Sequence, residues 1–410
     1  MNYFKDVLLE KIAKEVGTPC YVYSKQALIN NWHLFNNAFN NYPHQINYAV
    51  KANSNLAVLN ILKSLGSGFD IVSIGELERV LAVQGDVNKI IFSGVGKTTQ
   101  ELLRALEVGV GCINVESEQE LVRLNQLAIN ANKIANIAIR VNPDVASGSH
   151  PYISTGMSNS KFGVSILDAK KLYKLANDLS GINIQGIAFH IGSQITELSP
   201  FILAIDKILE LVKYLNFNFI NIKLKHINVG GGLGVSYNNE QAPSPEEYIK
   251  ALLDKLRPTG LMIYIEPGRA IAASAGVLLT KVEYIKQQES SNKYFAIVDA
   301  AMNDLLRPAL YDAWHDILAV NINNKPAINK TYDIVGPVCE TSDCLGKDRL
   351  LAISPGDLLK ICTVGAYGFS MSSNYNTRAR AAEVVIDGEE FFVVRPREDI
   401  IELFKSEKIC

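Results

Sequence analysis

Three short motifs in this chain carry residue types suited to chemistry at a carbonyl group. Lys51 and the triplet Gly230–Gly232 each follow an apolar run, and Glu266 precedes a Pro-Gly turn that leads to Arg269. An amine held beside apolar residues loses part of its solvation and can attack a carbonyl. Consecutive backbone N–H groups without side chains form an anion site. Together the motifs supply the amine, acid and anion cradle that an aldehyde with a phosphate group requires.

The positions of the amine and the acid also allow structural explanations. Lys51 taken alone is explained equally well by an ion pair with Asp70. Glu266 could pair with the nearby Arg269, or it could hold a proton on the pyridine nitrogen of pyridoxal phosphate. The combination of motifs favours a reactive amine at Lys51 and an acid that pairs with the pyridine nitrogen at Glu266.

A histidine and a serine follow a further apolar run. His190 could stack on a flat aromatic cofactor, with Ser193 near its phosphate. A lone strand histidine is more often a satisfied core residue, so this assignment is weak when taken alone. No second histidine or cysteine lies at ligand spacing, so we expect no metal site.

The order of apolar runs predicts a barrel that would hold these residues. Eight short β-branched runs alternate with segments of helical spacing, which indicates parallel strands joined by helices. The predicted strands cover residues 46–51, 68–72, 89–94, 112–116, 136–142, 184–191, 224–231 and 262–267. Eight such repeats favour a (β/α)8 barrel of the TIM type. A doubly wound open sheet is the alternative, because a strand count does not show closure.

Beyond residue 275 the pattern changes to strands separated by turns. This indicates a mainly β domain, a β-sandwich or Greek-key barrel, to which the strand-like run at Cys20 also belongs. We therefore predict a barrel domain over 33–275, and a second domain built from 1–32 and 276–410.

The predicted barrel gathers the candidate residues at one end. Catalytic groups of such barrels lie at the carboxyl ends of the strands, where the following loops line one mouth. The candidates at these positions are Lys51, Asp70, Arg140, His190, Gly230–Gly232, Glu266, Gly268 and Arg269. Their shared placement at the barrel mouth is stronger evidence for an active site than any single motif.

The second predicted domain offers groups suited to a substrate that carries a carboxylate. Arg307 and Tyr311 could bind a carboxylate. Cys339 and Glu340 place a thiol beside a carboxylate, and Tyr367 presents a phenol from a Gly-rich turn. A structural role is the better interpretation of any one of them in isolation.

Composition excludes several classes of partner. The 410 residues carry 40 Lys+Arg against 42 Asp+Glu, so no net field attracts nucleic acid. The N-terminal segment has the charges of an amphipathic helix, and no apolar run is long enough to span a membrane. The six scattered cysteines form no disulfide framework and indicate a reduced, cytoplasmic protein.

Seven motifs in order resemble those of the fold type III pyridoxal-phosphate-dependent decarboxylases, and within them the diaminopimelate decarboxylase family. The motifs are YAVKAN, HIGSQ, NVGGGLG, EPGR, RPALY, CETSD and GAYGFSMSSNYN, and the resemblance as a whole runs from about residue 20 to residue 387. The resemblance implies decarboxylation of meso-2,6-diaminopimelate to L-lysine and CO2, the last step of lysine biosynthesis. It also implies a homodimer whose active sites are shared across the interface.

The resemblance further implies a role for each candidate residue. Lys51 would form the Schiff base with pyridoxal phosphate, His190 would stack on its ring, and Glu266 would pair with its nitrogen. The groups implied to bind the phosphate are Ser193, Gly230, Gly231, Gly232 and Tyr367, whereas those implied to bind the substrate are Arg269, Arg307, Tyr311, Glu340 and Tyr367. Cys339 is implied as the donor of a proton to the α-carbon.

Three other functions remain open at this point. A decarboxylase of ornithine, arginine or carboxynorspermidine would share the lysine, the acid and the glycine loop. A racemase of this fold would instead keep a basic residue near the pyridine nitrogen, which Glu266 disfavours. An inactive regulator would be expected to lose the lysine or the thiol, and Lys51 and Cys339 are both present.

Overall fold

Two compact units make up the chain. The computed structural model describes residues 3–146, 160–289, 293–320 and 328–410. The barrel unit comprises Asn30–Ser236 and Glu240–Ala270, and the sheet unit comprises Met1–Ile29, Tyr237–Asn239 and Ile271–Cys410. Across the described ranges, no helix is both long enough and apolar enough to cross a membrane.

Helices and strands alternate through the first two thirds of the chain. The helices are α1 (Asp6–Val16), α2 (Lys25–Ala38), α3 (Leu56–Ser64), α4 (Ile74–Ala82), α5 (Thr99–Val108), α6 (Glu118–Asn130), α7 (Ile166–Asn177), α8 (Ser199–Asn218), α9 (Pro245–Leu256), α10 (Arg269–Ala272) and α11 (Arg307–Tyr311). The strands are β1 (Cys20–Ser24), β2 (His44–Ala49), β3 (Gly68–Ile71), β4 (Ile90–Phe92), β5 (Cys112–Val115), β6 (Ala135–Asn142), β7 (Val164–Ser165), β8 (Ile182–Ala188), β9 (His226–Asn228), β10 (Met262–Ile265), β11 (Gly276–Gln288), β12 (Lys293–Val298), β13 (Ile317–Ala319), β14 (Lys330–Val335), β15 (Cys344–Leu351), β16 (Leu358–Ile361), β17 (Ala382–Asp387) and β18 (Glu390–Arg395).

The barrel unit is a closed ring of eight parallel strands. The order around the ring is β5, β4, β3, β2, β10, β9, β8 and β6, and the pairing of β6 with β5 closes it. All eight predicted runs overlap these strands, and closure excludes the open-sheet alternative. The predicted fold class, a (β/α)8 barrel with a separate β domain, is confirmed.

Local signals explain where the barrel helices begin. Thr98 and Glu101 form a reciprocal capping box at α5, and Ser244 and Glu247 form another at α9. Each pair satisfies backbone N–H groups that have no partner inside the helix. The buried face of α9 is apolar, as expected for a helix that covers a sheet with one face. Its first turn is acidic, which suits the positive end of the helix dipole.

An aromatic pair fills part of the barrel interior. The rings of His226 in β9 and Tyr264 in β10 stack at 4.1 Å with planes 8° apart. The opposite side of the His226 ring lies against Gly186 in β8, where a Cβ atom would overlap the ring. Gly186 therefore provides the space in which His226 is packed.

The sheet unit contains a nine-stranded mixed sheet. Its main path runs β15, β14, β12, β11, β1, β17 and β18, while β16 pairs with β11 and β13. The N-terminal strand β1 is antiparallel to β11 and parallel to β17. Leu9 and Ile12 of α1 belong to the buried cluster on this sheet, as the amphipathic spacing predicts. Sequence analysis missed β13, which has three residues, and β15, whose charged residues interrupt its apolar pattern.

Substitution of Gly186 by Ala should destabilise the barrel unit. The added methyl group meets the His226 ring, which Tyr264 confines from the other side. We expect the free energy of unfolding to fall by about 1–3 kcal/mol, the usual effect of overpacking a core. Urea denaturation of the cofactor-free protein measures this change.

Gly96→Ala is the matched control, because a Cβ atom at Gly96 has no neighbour within 4 Å. The double variant Gly186→Ala with His226→Ala should recover part of the loss, since the substituted groups are in contact. Equal stability of Gly186→Ala and Gly96→Ala would contradict the packing argument.

Candidate active site

Lys51 lies at the mouth of the barrel, paired with an aspartate. It occupies a single 3-10 turn, Val50–Ala52, immediately after β2. Its Nζ donates to Asp70 Oδ2 in β3 over 3.2 Å, and its side chain remains 40% exposed. The other oxygen, Asp70 Oδ1, is buried without a hydrogen bond among the described residues. The ion pair considered as an alternative is thus present, and it orients an amine that is still accessible.

Neighbouring strands bring the other barrel candidates to the same arc. The ring places β3, β2, β10, β9 and β8 side by side. His190 follows β8, Gly230–Gly232 follow β9, and Glu266 follows β10. Because the strands are parallel, all these groups emerge at the carboxyl end of the barrel.

His190 is held as a neutral ring by the glycine loop. Gly231 N–H donates to His190 Nδ1 over 3.2 Å, so the proton of the neutral ring lies on Nε2. Burial, followed by the positive charges of Arg140 and Lys51, lowers the pKa of His190 well below 6.5. The flat face of the imidazole is therefore presented in one tautomer.

Glu266 is linked to the glycine loop through Asn228, which sequence analysis did not single out. Asn228 Nδ2 donates to Glu266 Oε1 over 2.6 Å, and Asn228 Oδ1 accepts from Gly230 N–H over 2.9 Å. Burial, and then the negative charge of Asp70, raise the pKa of Glu266 above its usual value of 4.5. The sequence signal for Asn228 was a polar residue at the end of the run HIN, just before the glycine triplet. In the structure Asn228 is only 1% exposed.

The glycine triplet forms a loop that excludes side chains. Gly230 and Gly232 have φ values of +69° and +111°, which L-residues rarely adopt. A Cβ atom on Gly231 would overlap the Glu266 carbonyl oxygen, and one on Gly232 would overlap the Gly192 carbonyl oxygen. Successive N–H groups in such a conformation suit the binding of a phosphate.

Arg269 and Ser193 meet beside this loop. Arg269 begins α10 and is buried, and its Nη2 donates to Ser193 Oγ over 3.0 Å. The preceding Gly268 packs on the turn that carries Lys51, because its Cβ position lies 3.0 Å from Ala52 Cβ. Close packing at Gly268 thus fixes the EPGR segment against the lysine turn.

A buried ion pair, also missed from the sequence, stabilises the neighbouring strand ends. Arg140 Nη1 donates to Glu116 Oε1 over 3.0 Å, and the same carboxylate accepts from the N–H groups of Gly94 and Gly163. The Arg140 guanidinium also lies 4.8 Å from the centre of the Phe162 ring. Sequence analysis placed Arg140 at a strand end but gave no reason to pair it with Glu116.

In the sheet unit, Arg307 is buried at the start of α11. Its Nη1 contacts His315 Nε2 at 2.9 Å, and its guanidinium lies 4.5 Å from the centre of the Tyr237 ring. Tyr311 ends the same helix. The arginine is therefore oriented before any substrate binds.

Cys339 and Glu340 lie on the surface of the sheet unit, after β14. Cys339 N–H donates to Asn376 Oδ1 over 3.0 Å. Glu340 accepts from the Tyr375 hydroxyl over 2.7 Å, and this hydrogen bond, with a second from Ser342, lowers the pKa of Glu340.

Tyr367 stands in the Gly-rich turn with a φ of 58°. The five candidates Arg307, Tyr311, Cys339, Glu340 and Tyr367 all belong to the sheet unit. The roles of these five and of the barrel candidates stay predictions.

Raising the pH should destabilise the cofactor-free wild-type protein relative to Glu266→Gln. The folded state holds the Glu266 proton more tightly than the unfolded state, whose pKa is near 4.5. This contribution is fully present below pH 4.5 and is lost as the pH rises through the folded pKa, by up to about 1.4 kcal/mol per pH unit. Urea unfolding between pH 5 and pH 8 measures the difference.

The Glu266→Gln variant keeps a hydrogen-bonding group for Asn228 but does not titrate at this position, which makes it the matched reference. Parallel stability curves for the two proteins over this range would contradict a raised pKa at Glu266.

The residues at the barrel mouth fit pyridoxal phosphate. The side-chain-free loop Gly230–Gly232 offers N–H groups to a phosphate, and the accessible Lys51 amine suits an aldehyde. A buried acid, Glu266, suits a pyridine nitrogen, and neutral His190 suits the face of an aromatic ring. Asp70 Oδ1 adds a buried acceptor without a described partner.

Comparison with known proteins agrees with this chemistry. Residues 25–273 match the family model described as pyridoxal-dependent decarboxylase, pyridoxal binding domain. The chain is 55% identical to diaminopimelate decarboxylase of Vibrio cholerae, over 99% of this chain and 96% of the relative. It is 53% identical to the Haemophilus influenzae protein of that name, over 99% of this chain and 97% of the relative.

A solved structure shows the same similarity in three dimensions. Diaminopimelate decarboxylase from Helicobacter pylori, crystallised with L-lysine, superposes with a TM-score of 0.93 at 40% identity. The match covers 97% of this chain and 99% of that one. With the barrel and its lysine, glycine loop and acid in place, this chain belongs to the diaminopimelate decarboxylase family of pyridoxal-dependent decarboxylases.

Proposed function

We propose that this chain is a carboxy-lyase that converts meso-2,6-diaminopimelate to L-lysine and CO2, the last step of lysine biosynthesis. The observation that carries the proposal is the arc of Lys51, Glu266 and Gly230–Gly232 at the barrel mouth. The full-length similarity to proteins named for this reaction supports the choice of substrate. We place the reaction in the cytoplasm, because the six cysteines are free thiols.

The cofactor would be held by groups of the barrel mouth and by Tyr367. When bound, pyridoxal phosphate supplies a protonated pyridine ring that accepts the electron pair released as the bond to the carboxylate breaks. Lys51 would hold the aldehyde, and Asp70 keeps its amine oriented. The N–H groups of Gly230–Gly232, with the hydroxyls of Ser193 and Tyr367, would bind the phosphate.

Glu266 and His190 would control the ring. Glu266 has a raised pKa and therefore favours a proton shared between its carboxyl group and the ring nitrogen. His190 is neutral, so its flat face adds no positive charge beside the ring. Asn228 holds Glu266 and the glycine loop at a fixed separation.

The substrate would be recognised at its distal amino acid group, the L-centre that the product retains. Arg269, Arg307 and Tyr311 would bind the carboxylate of this group, and Glu340 would bind its amine. Cys339 would deliver a proton to the α-carbon of the D-centre after CO2 leaves. An enzyme for ornithine or arginine needs an acidic contact for a distal cation and has less use for this set of arginines.

We further propose a homodimer in which each active site uses Cys339 and Glu340 of the other chain. Both side chains are exposed on the surface of the single chain, although the proposed chemistry requires them at a reacting centre. A two-fold interface would bury both side chains and would place one copy of each in each of the two active sites.

Lys51→Ala should abolish turnover. Loss of the amine removes both the group that holds the cofactor and the group that releases the product, so we expect kcat to fall roughly a thousandfold or more. The visible absorption of the bound cofactor should change as well. Lys250→Ala, on the exposed face of α9, is the control and should retain both properties.

A substrate panel tests the specificity of the reconstituted enzyme. CO2 release should occur from meso-diaminopimelate and not from its LL isomer, ornithine, arginine or lysine. A chain that binds the cofactor but turns over only ornithine or arginine would refute the proposed substrate and support the alternative decarboxylase.

Mixing two inactive variants tests the shared active site. If Lys51 and Cys339 come from different chains, a hybrid of Lys51→Ala and Cys339→Ala contains one intact site. Co-refolded variants in equal amounts should recover about a quarter of the wild-type activity, because half of the dimers are hybrids with one working site each. No recovery in demonstrably mixed dimers would place both residues in the same chain's site.

A further inference from the structure

A buried arginine and a buried histidine in the sheet unit form a directed contact that the proposed mechanism does not explain. Arg307 is 5% exposed and His315 is fully buried. Arg307 Nη1 and His315 Nε2 lie 2.9 Å apart, and His315 Nδ1 lies 2.9 Å from the Cys362 carbonyl oxygen. The Tyr237 ring packs edge-on against the imidazole, with the ring centres 5.2 Å apart.

The partners of His315 determine where its proton lies. A guanidinium can only donate hydrogen bonds, so Nε2 must accept from Arg307. A carbonyl oxygen can only accept, so Nδ1 must carry the hydrogen that it donates to Cys362. Both contacts are satisfied by one tautomer of the neutral ring. A charged ring would direct a second N–H group at the guanidinium.

A neutral acceptor has a specific advantage beside a substrate-binding arginine. The two partners described above, the imidazole and the Tyr237 ring, orient the Arg307 guanidinium without cancelling its charge. A carboxylate in the place of His315 would neutralise that charge and compete with an incoming carboxylate. The imidazole therefore fixes the direction of the guanidinium without adding a negative charge of its own.

We propose that His315 is a positioning residue that directs Arg307 toward the carboxylate that the substrate shares with the product. The inference rests on the proposed function, since it deepens the role given there to Arg307. His315 acts only through Arg307, so its loss should weaken ground-state binding of substrate and product and leave the chemical step nearly unchanged.

Two substitutions separate the two hydrogen bonds of His315. Gln can place its oxygen near the position of Nε2 and keep the acceptor for Arg307, whereas Asn can keep only the donor to Cys362. His315→Asn should raise KM for meso-diaminopimelate about 10- to 100-fold, the usual effect of losing a hydrogen bond to a charged group. Its kcat should stay within about twofold. His315→Gln should restore KM to within a few-fold of wild type.

Product binding and a double variant give independent measurements. L-lysine retains the carboxylate, so its Kd, measured by calorimetry, should rise in His315→Asn by the same factor as KM. In an Arg307→Met background, His315→Asn should cause no further change, because the two residues act as one unit. Additive effects, or a loss confined to kcat, would overturn the inference.

The tautomer can be measured without disturbing the fold. Nitrogen NMR of the histidine-labelled holoenzyme, assigned with His315→Gln, should show a neutral His315 with its proton on Nδ1. A proton on Nε2, or a charged ring, would overturn the inference even if His315→Asn failed to fold. Failure of the proposed function is distinguishable, because it would show as absent turnover of meso-diaminopimelate by the wild-type enzyme.

Discussion

The pairing of β6 with β5 is the constraint on which the barrel site depends. That single parallel contact converts a row of eight strands into a ring, and the ring gives every strand two fixed neighbours. The lysine turn after β2 then has the aspartate of β3 on one side and the acid after β10 on the other. In an open sheet of the same strands, two of them would be edges without a second neighbour.

Neutral groups recur beside the ionisable residues of both units. Asn228 donates to Glu266, Gly231 donates to His190, and His315 accepts from Arg307. In each case the partner fixes the direction of the functional group without adding a compensating charge. This differs from the Arg140–Glu116 pair, in which two buried charges satisfy each other and stabilise strand ends.

The parts of this structure that sequence could predict are those with a strong periodic or positional signal. Lys51, Gly230–Gly232 and Glu266 each follow a clear apolar run, and barrel geometry converts that position into a place at the mouth. Asn228 gave a weaker signal, because a polar residue inside a strand usually indicates a face toward solvent. The strand β15 lacked alternation, so only its pairing with β14 reveals it.

Apart from the Lys51–Asp70 ion pair, the contacts between distant residues described above could not be predicted from the sequence. Nothing in the spacing of Glu116 and Arg140 indicates an ion pair, and nothing near Arg307 indicates that His315 would accept its hydrogen bond. Such pairings depend on side-chain directions that are settled only when the units pack. The family resemblance supplied roles for single residues, but the contacts that orient those residues had to come from the structure.

The place of β1 in its sheet has a consequence for synthesis of the protein. On the ribosome β1 emerges first, yet its neighbours β11 and β17 are made only after the whole barrel segment. Both hydrogen-bonding edges of β1 stay without their native partners throughout that interval. Most barrel strands, by contrast, meet their neighbours soon after synthesis, and β2 alone among the eight acquires a neighbour, β10, only at the end of the barrel segment. The order of translation therefore favours folding of the barrel before β1 pairs with β11 and β17.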